Sequence, residues 1–133
     1  CSGNAVFTSS TPLHTHQATP TVLADSAAIV AKGAYKTRIA TCTPTGALAK
    51  TTDTAANIIN ECAMDNDGDS FDFTIINLAT TASYIITLTG GDSVAIVGDE
   101  RAYPEVDGED TSGSATWRVR RTGESALSMY RIA

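Results

Sequence analysis

Charge, aromatic side chains and cysteine are all scarce in this sequence. Charged residues make up 18% of the 133 positions and aromatic residues 6%, with one Trp and two His. So little charge, with much Thr and Ser in its place, suits an extracellular or particle-surface β protein better than a cytosolic helical enzyme. So few aromatics exclude the rows of stacking platforms that single-stranded nucleic acid needs, and leave little to line a sugar cleft. No apolar run approaches the ~18 residues of a membrane span, and no secretory apolar region is present. The three cysteines, Cys1, Cys42 and Cys62, include no C-x-x-C pair, and their odd number excludes a complete disulfide framework. A Cys42–Cys62 bridge and two buried free thiols are both open.

What charge there is leans acidic. The net charge of −6 and pI near 4.6 repel nucleic acid and anionic membrane, so neither is expected as a partner. Arg118, Arg120, Arg121 and Arg131 cluster near the end, where a local basic face could form. The chain starts at Cys1, as a processed or partial chain would. Cys1-Ser2-Gly3-Asn4 also fits the lipidated start of a bacterial lipoprotein, the one route by which a membrane would enter.

The length is that of one domain. Residues 1–20 read as an extended N-terminal arm: Ser, Thr, His and Pro dominate, apolar residues are sparse, and Pro12 and Pro20 interrupt any ladder. Such a segment does not offset its own ordering entropy and is expected to lie along a sheet edge or a neighbouring subunit. Residues 21–133 read as a single β-rich domain. Residues 21–31 fit either a short helix capped by Asp25 or Ser26 or a strand, and residues 35–41 fit a strand. Asp53 makes a good N-cap for the one predicted helix, in which Ala55, Ile58, Ile59 and Cys62 share a stripe up to the turn at Asn66-Asp67-Gly68. Beyond it the period becomes two, around Phe71-Phe73-Ile75, Tyr84-Ile86-Leu88, 93–97, Trp117-Val119 and Leu127-Met129. Short connections predict an antiparallel β-sandwich or jelly-roll-like barrel. The acidic stretch 99–114 reads as a long loop, solvated or in contact with a neighbour.

Two patterns carry the spacing of metal ligands. Asp65, Asp67 and Asp69 begin an EF-hand loop, but Ser70 replaces its Gly and Ile76 its bidentate Glu, so a solvated acidic turn is expected instead. His14 and His16 would face one side of an extended strand, without a third ligand nearby, unless copies meet on a symmetry axis. No cofactor and no catalytic residue is expected. G-x-S-x-G is absent, the only His lie in the arm, and neither Cys42 nor Cys62 has an adjacent base. Trp117 reads as core or interface. Phe7, Leu13, His14, His16, Tyr103 and Trp117 are the candidate assembly contacts.

From Asp53 onward the sequence resembles modules of tail fibres, head fibres and capsid-surface proteins of tailed phages and large DNA viruses. The resemblance rests on Thr54-Ala55-Ala56-Asn57-Ile58-Ile59, on Gly68-Asp69-Ser70-Phe71 through to Asn77, on Gly90-Gly91-Asp92-Ser93, and on the closing strands around Trp117 and Met129. It covers the C-terminal three-fifths. The Pro that often precedes Thr-Ala is missing, and the acidic loop is longer than in that group. The resemblance implies a β module, often a homo-trimer, at the virion surface, bound to the major capsid or other virion proteins and without catalytic residues. The alternatives are a bacterial cell-surface lipoprotein or adhesin domain anchored through Cys1, and a carbohydrate-binding module using Trp117 or Tyr103.

Overall fold

The computed structural model describes residues 17–106 and 113–133. It is mainly β, with ten strands and two short helices among the described residues. Strands β1 (Thr21–Val22), β2 (Ile29–Val30), β3 (Ile39–Cys42), β4 (Leu48–Thr52), β5 (Ser70–Asn77), β6 (Ile86–Thr89), β7 (Val94–Val97), β8 (Arg101–Ala102), β9 (Ser114–Gly123) and β10 (Ala126–Arg131) form two sheets. One has the order β1-β3-β5-β9-β10-β7, the other β2-β4-β6-β8. Up to β9 the chain changes sheet at every connection, so the first six strands wind as a flattened coil. Each turn lays one strand in each sheet, and successive turns run the same way. Hence β1, β3 and β5 are parallel neighbours, as are β2, β4 and β6.

The expected purely antiparallel pairing is therefore corrected to two mixed sheets. Alternation along a strand reports which face is buried and is silent on the neighbour's direction. The antiparallel pairs are those closed by the tight β9–β10 hairpin, by β9 lying back along β5, and by β8 returning along β6. The inner faces share one core. Phe73, Ile75, Trp117, Val119 and Met129 of the first sheet join Ile86, Leu88 and Ala102 of the second, all with no measurable exposure. A sandwich-like packing of two sheets follows.

Two local expectations are corrected. Residues 35–41 are not one strand: helix α1 (Gly33–Thr37) occupies the first half, Arg38 turns the chain at φ 71°, and β3 begins at Ile39. The helix buries Ala34 and Tyr35, and the Tyr35 ring packs on Phe73 with centroids 4.7 Å apart. In residues 21–31, strands replace the alternative helix. The predicted helix is α2 (Ala55–Glu61), but its N-cap is Thr54, whose Oγ1 accepts from the Asn57 N–H at 3.2 Å.

Asn77, at the end of β5, joins the sheets. It is buried, its Nδ2 donates to the carbonyls of Tyr84 (2.8 Å) and Ala102 (3.0 Å), and its Oδ1 accepts from the Ala79 N–H (2.9 Å). Ala102 is on β8 and Tyr84 lies just ahead of β6, so one amide ties the first sheet to two places in the second. Removing it leaves the buried Ala79 N–H without its acceptor and takes a bond from each of the Tyr84 and Ala102 carbonyls, where a stranded buried group costs about 1–3 kcal/mol. Asn77→Ala is therefore expected to lower the melting temperature by roughly 10 °C, while Leu78→Ala at an exposed neighbour leaves it nearly unchanged. Equal melting curves for the two variants would refute the pin.

Candidate interaction surface

The polar residues singled out in the sequence are largely engaged within the fold. Arg118 on β9 and Asp72 on β5 stand opposite each other in register, and Nε donates to Oδ1 at 2.8 Å with a second bond from Nη2 at 3.2 Å. Arg121 donates to the carbonyls of Gly123 and Met64, each at 2.9 Å, and lies 3.3 Å from the Asp67 carboxylate. Arg131 donates to the carbonyls of Asp99 (3.2 Å) and Arg101 (2.8 Å), with the Asp99 carboxylate 3.8 Å away. The anticipated basic face near the C-terminus is thus largely neutralised: three of its four arginines are paired with aspartates.

Asp65, Asp67 and Asp69 lie in the turn between α2 and β5. The Asp69 carboxylate accepts from the Asn66 N–H at 3.0 Å, and Asp67 serves Arg121. Among the described residues no group of three His, Cys, Asp or Glu side chains could hold a metal ion. Phe7, Leu13, His14 and His16 lie outside the described residues, as does Cys1. An open depression of about 420 Å³ between α2 and the β9–β10 hairpin is lined by Met64, Asp65, Arg121 and Glu124. The guanidinium there already serves the two carbonyls and Asp67.

Of the two cysteines described, Cys42 is buried and Cys62 half-buried, and both are free thiols. Burial pushes both above the usual thiol range, which keeps them protonated. No bridge joins them.

Trp117, expected as core or interface, is core: it has no exposed surface, and its Nε1 donates to the Asp99 carbonyl at 3.2 Å. Its role as an assembly contact or a sugar platform is corrected accordingly. Tyr103 is half-buried, with the Arg101 guanidinium 5.4 Å from its ring centre. The first part of the acidic stretch is not free loop. It contains β8, and Asp99 is held by Arg101 and Arg131 together with Trp117.

No family model matches the chain, and no curated protein or solved structure matches it.

Sequence reasoning missed a buried lysine. Lys50 on β4 is 2% exposed, and its Nζ donates to the Ser26 carbonyl at 2.8 Å. Ser26 is in the crossover from β1 to β2, which Asp25 also ties to Thr45 with a 2.7 Å bond to the hydroxyl. The Tyr35 hydroxyl is the buried side-chain polar atom left without a hydrogen-bond partner among the described residues. Burial raises its ionisation well beyond the usual phenol range.

The large apolar side chains left in water lie mainly at the strand edges: Val22 on β1, Ile29 on β2 and Val97 on β7, besides Leu78 and Ile132. These edges form the candidate surface, since exposed strand edges are templates for another chain.

Three aspartates set the acid sensitivity. The Arg118 guanidinium holds Asp72 below the usual carboxylate range. Burial raises Asp53 and Asp99, but hydrogen bonds outweigh it. Asn57, Thr54 and Lys32 donate to Asp53, and Arg101 to Asp99, so both also end low. Folded values below the unfolded ~3.9 add stability that is fully present above that pH. It is lost as pH falls through the folded values. Melting temperature is expected to be level from pH 7 to 5 and to drop below pH 4, with a shallower drop in Asp53→Asn. A melting temperature unchanged down to pH 2 would contradict these pairings.

Proposed function

We propose that this chain is a non-catalytic structural subunit of a virus particle, decorating, cementing or projecting from the capsid surface through protein–protein contacts. The single observation that carries the reading is the placement of exposed apolar side chains at open strand edges, at Val22, Ile29 and Val97, while most described arginines and the buried Lys50 and Asn77 are engaged internally. Apolar edges gain when another chain covers them. The expected assembly is a homo-trimer on the major capsid or another virion protein, and a jelly-roll-like relationship of the sheets belongs to this proposal. A subunit that binds assembled shell and not free shell protein stabilises the particle by mass action.

The N-terminal segment fits the part of a clamp. It bears no Asp, Glu, Lys or Arg before Asp25, and carries Val6, Phe7 and Leu13. Apolar area it cannot bury alone would be buried on assembly.

Native mass spectrometry of the full chain and of a form lacking residues 1–16 tests this. The full chain is expected as a trimer, and the shortened form as a monomer with unchanged β circular dichroism. A full chain that stays monomeric at high concentration and does not bind particles would overturn the reading. Loss of the β signal on truncation would overturn the separation of segment and domain.

A further inference from the structure

The six-stranded sheet ends on one side at β7, and this edge differs from the other three. β1, β2 and β8 are two residues each, too short to offer a partner more than a bond or two. β7 is Val-Ala-Ile-Val, without the charge or proline that commonly blunts an exposed edge.

Its hydrogen-bond phase is fixed by β10. The Leu127 N–H donates to the Ser93 carbonyl at 3.0 Å, and Leu127 is in register with Val94. In a parallel pair the backbone groups of alternate residues face the neighbour. Ala95 and Val97 therefore serve β10, and the N–H and C=O of Ile96 turn to the open side. Val94 also turns outward but is closed off. Its N–H donates to the Gly91 carbonyl at 3.0 Å, and its own carbonyl lies against Gly90, where a Cβ would sit 2.0 Å from it. Ile96 is thus the open donor–acceptor pair of this edge, between the exposed Ala95 and Val97.

We propose that β7 accepts the N-terminal segment of a second copy, residues 4–11, as an added strand hydrogen-bonded to Ile96. The inference deepens the assembly reading and rests on it. Three observations choose this occupant over β7 of another copy or the chain's own segment. Two copies of β7 meeting edge to edge would bring only four residues each, whereas residues 4–11 bring eight to lay along the strand and past its ends. Residues 4–11 are free of proline and include Val6 and Phe7, and nothing charged would be desolvated against the uncharged strand. The segment enters the fold at β1, on the opposite edge of the sheet from β7. That is five strand spacings away, ~24 Å, across a face carrying the exposed Asp72–Arg118 pair. A neighbour's β7 is reached without that crossing.

The test uses the full chain. Phe7→Cys and Val97→Cys proteins, each with the three native cysteines replaced, are mixed and oxidised. In parallel, Ile96→Pro removes the outward N–H and no ladder bond, whereas Ala95→Pro breaks the ladder to β10. Expected are a disulfide between the two different chains, and loss of the oligomer in Ile96→Pro with its melting temperature within a few degrees of the parent. In a third protein carrying both Phe7→Cys and Val97→Cys, a disulfide found only within single chains, with none between the mixed proteins, would overturn the proposal in favour of the chain's own segment. A folded Ile96→Pro that keeps its oligomer, with no inter-chain disulfide, would overturn this inference and leave the assembly reading standing. A parent that is monomeric throughout would overturn both. Should Ile96→Pro not fold, the cross-link alone decides.

Discussion

The two sheets depend on one buried amide. Asn77 closes β5 and donates across to the second sheet at Tyr84 and Ala102, while its own carbonyl oxygen is taken by Ala79. Apolar packing between sheets is strong but nearly indifferent to sliding, whereas three hydrogen bonds at a buried site accept one relative position. Trp117 and Arg131 reinforce that position by holding Asp99 at the start of the β7–β8 connection. The coil of β1 to β6 needs such a lock, because parallel neighbours here come from successive turns and not from tight hairpins.

How much of this was legible in the sequence follows from what each residue must satisfy. The strands at Phe71-Phe73-Ile75, Trp117-Val119 and Leu127-Met129 were legible because apolar and polar residues alternate cleanly there, and α2 because its stripe has helical spacing. β4 was not, since its inward positions are Leu48, Lys50 and Thr52, and a buried lysine inverts the pattern by which a strand is recognised. Lys50 is tolerated because Ser26, far away in sequence, supplies a carbonyl. α1 was missed because five residues are too few for a period, and because Tyr35 is a good strand residue that the core captures on a helix instead. Strand direction was legible at the tight β9–β10 turn, which forces an antiparallel pair, and not where strands pair across the coil.

The candidate surface was legible only as composition. Scarce charge and abundant Thr leaned toward an extracellular or particle-surface β protein, and the named contacts fared differently. Trp117 went to the core, Tyr103 is half-buried, and Phe7, Leu13, His14 and His16 fall outside the described residues. The residue that matters most at the β7 edge, Ile96, carries no signal of its own, because its importance lies in the phase of a ladder whose other strand pairs with it 33 positions further on.

Two mixed sheets with an open β7 edge, which we propose is covered only on assembly, are the centre of this account. Amide hydrogen exchange at Ile96, followed by NMR in dilute and in concentrated full-length protein, tests it most directly. The account predicts rapid exchange when the chain is monomeric, while the Ala95 amide, bonded to β10, stays protected, and strong protection of Ile96 once subunits associate. An Ile96 amide already protected in the dilute monomer, or equally unprotected in the oligomer, would contradict it.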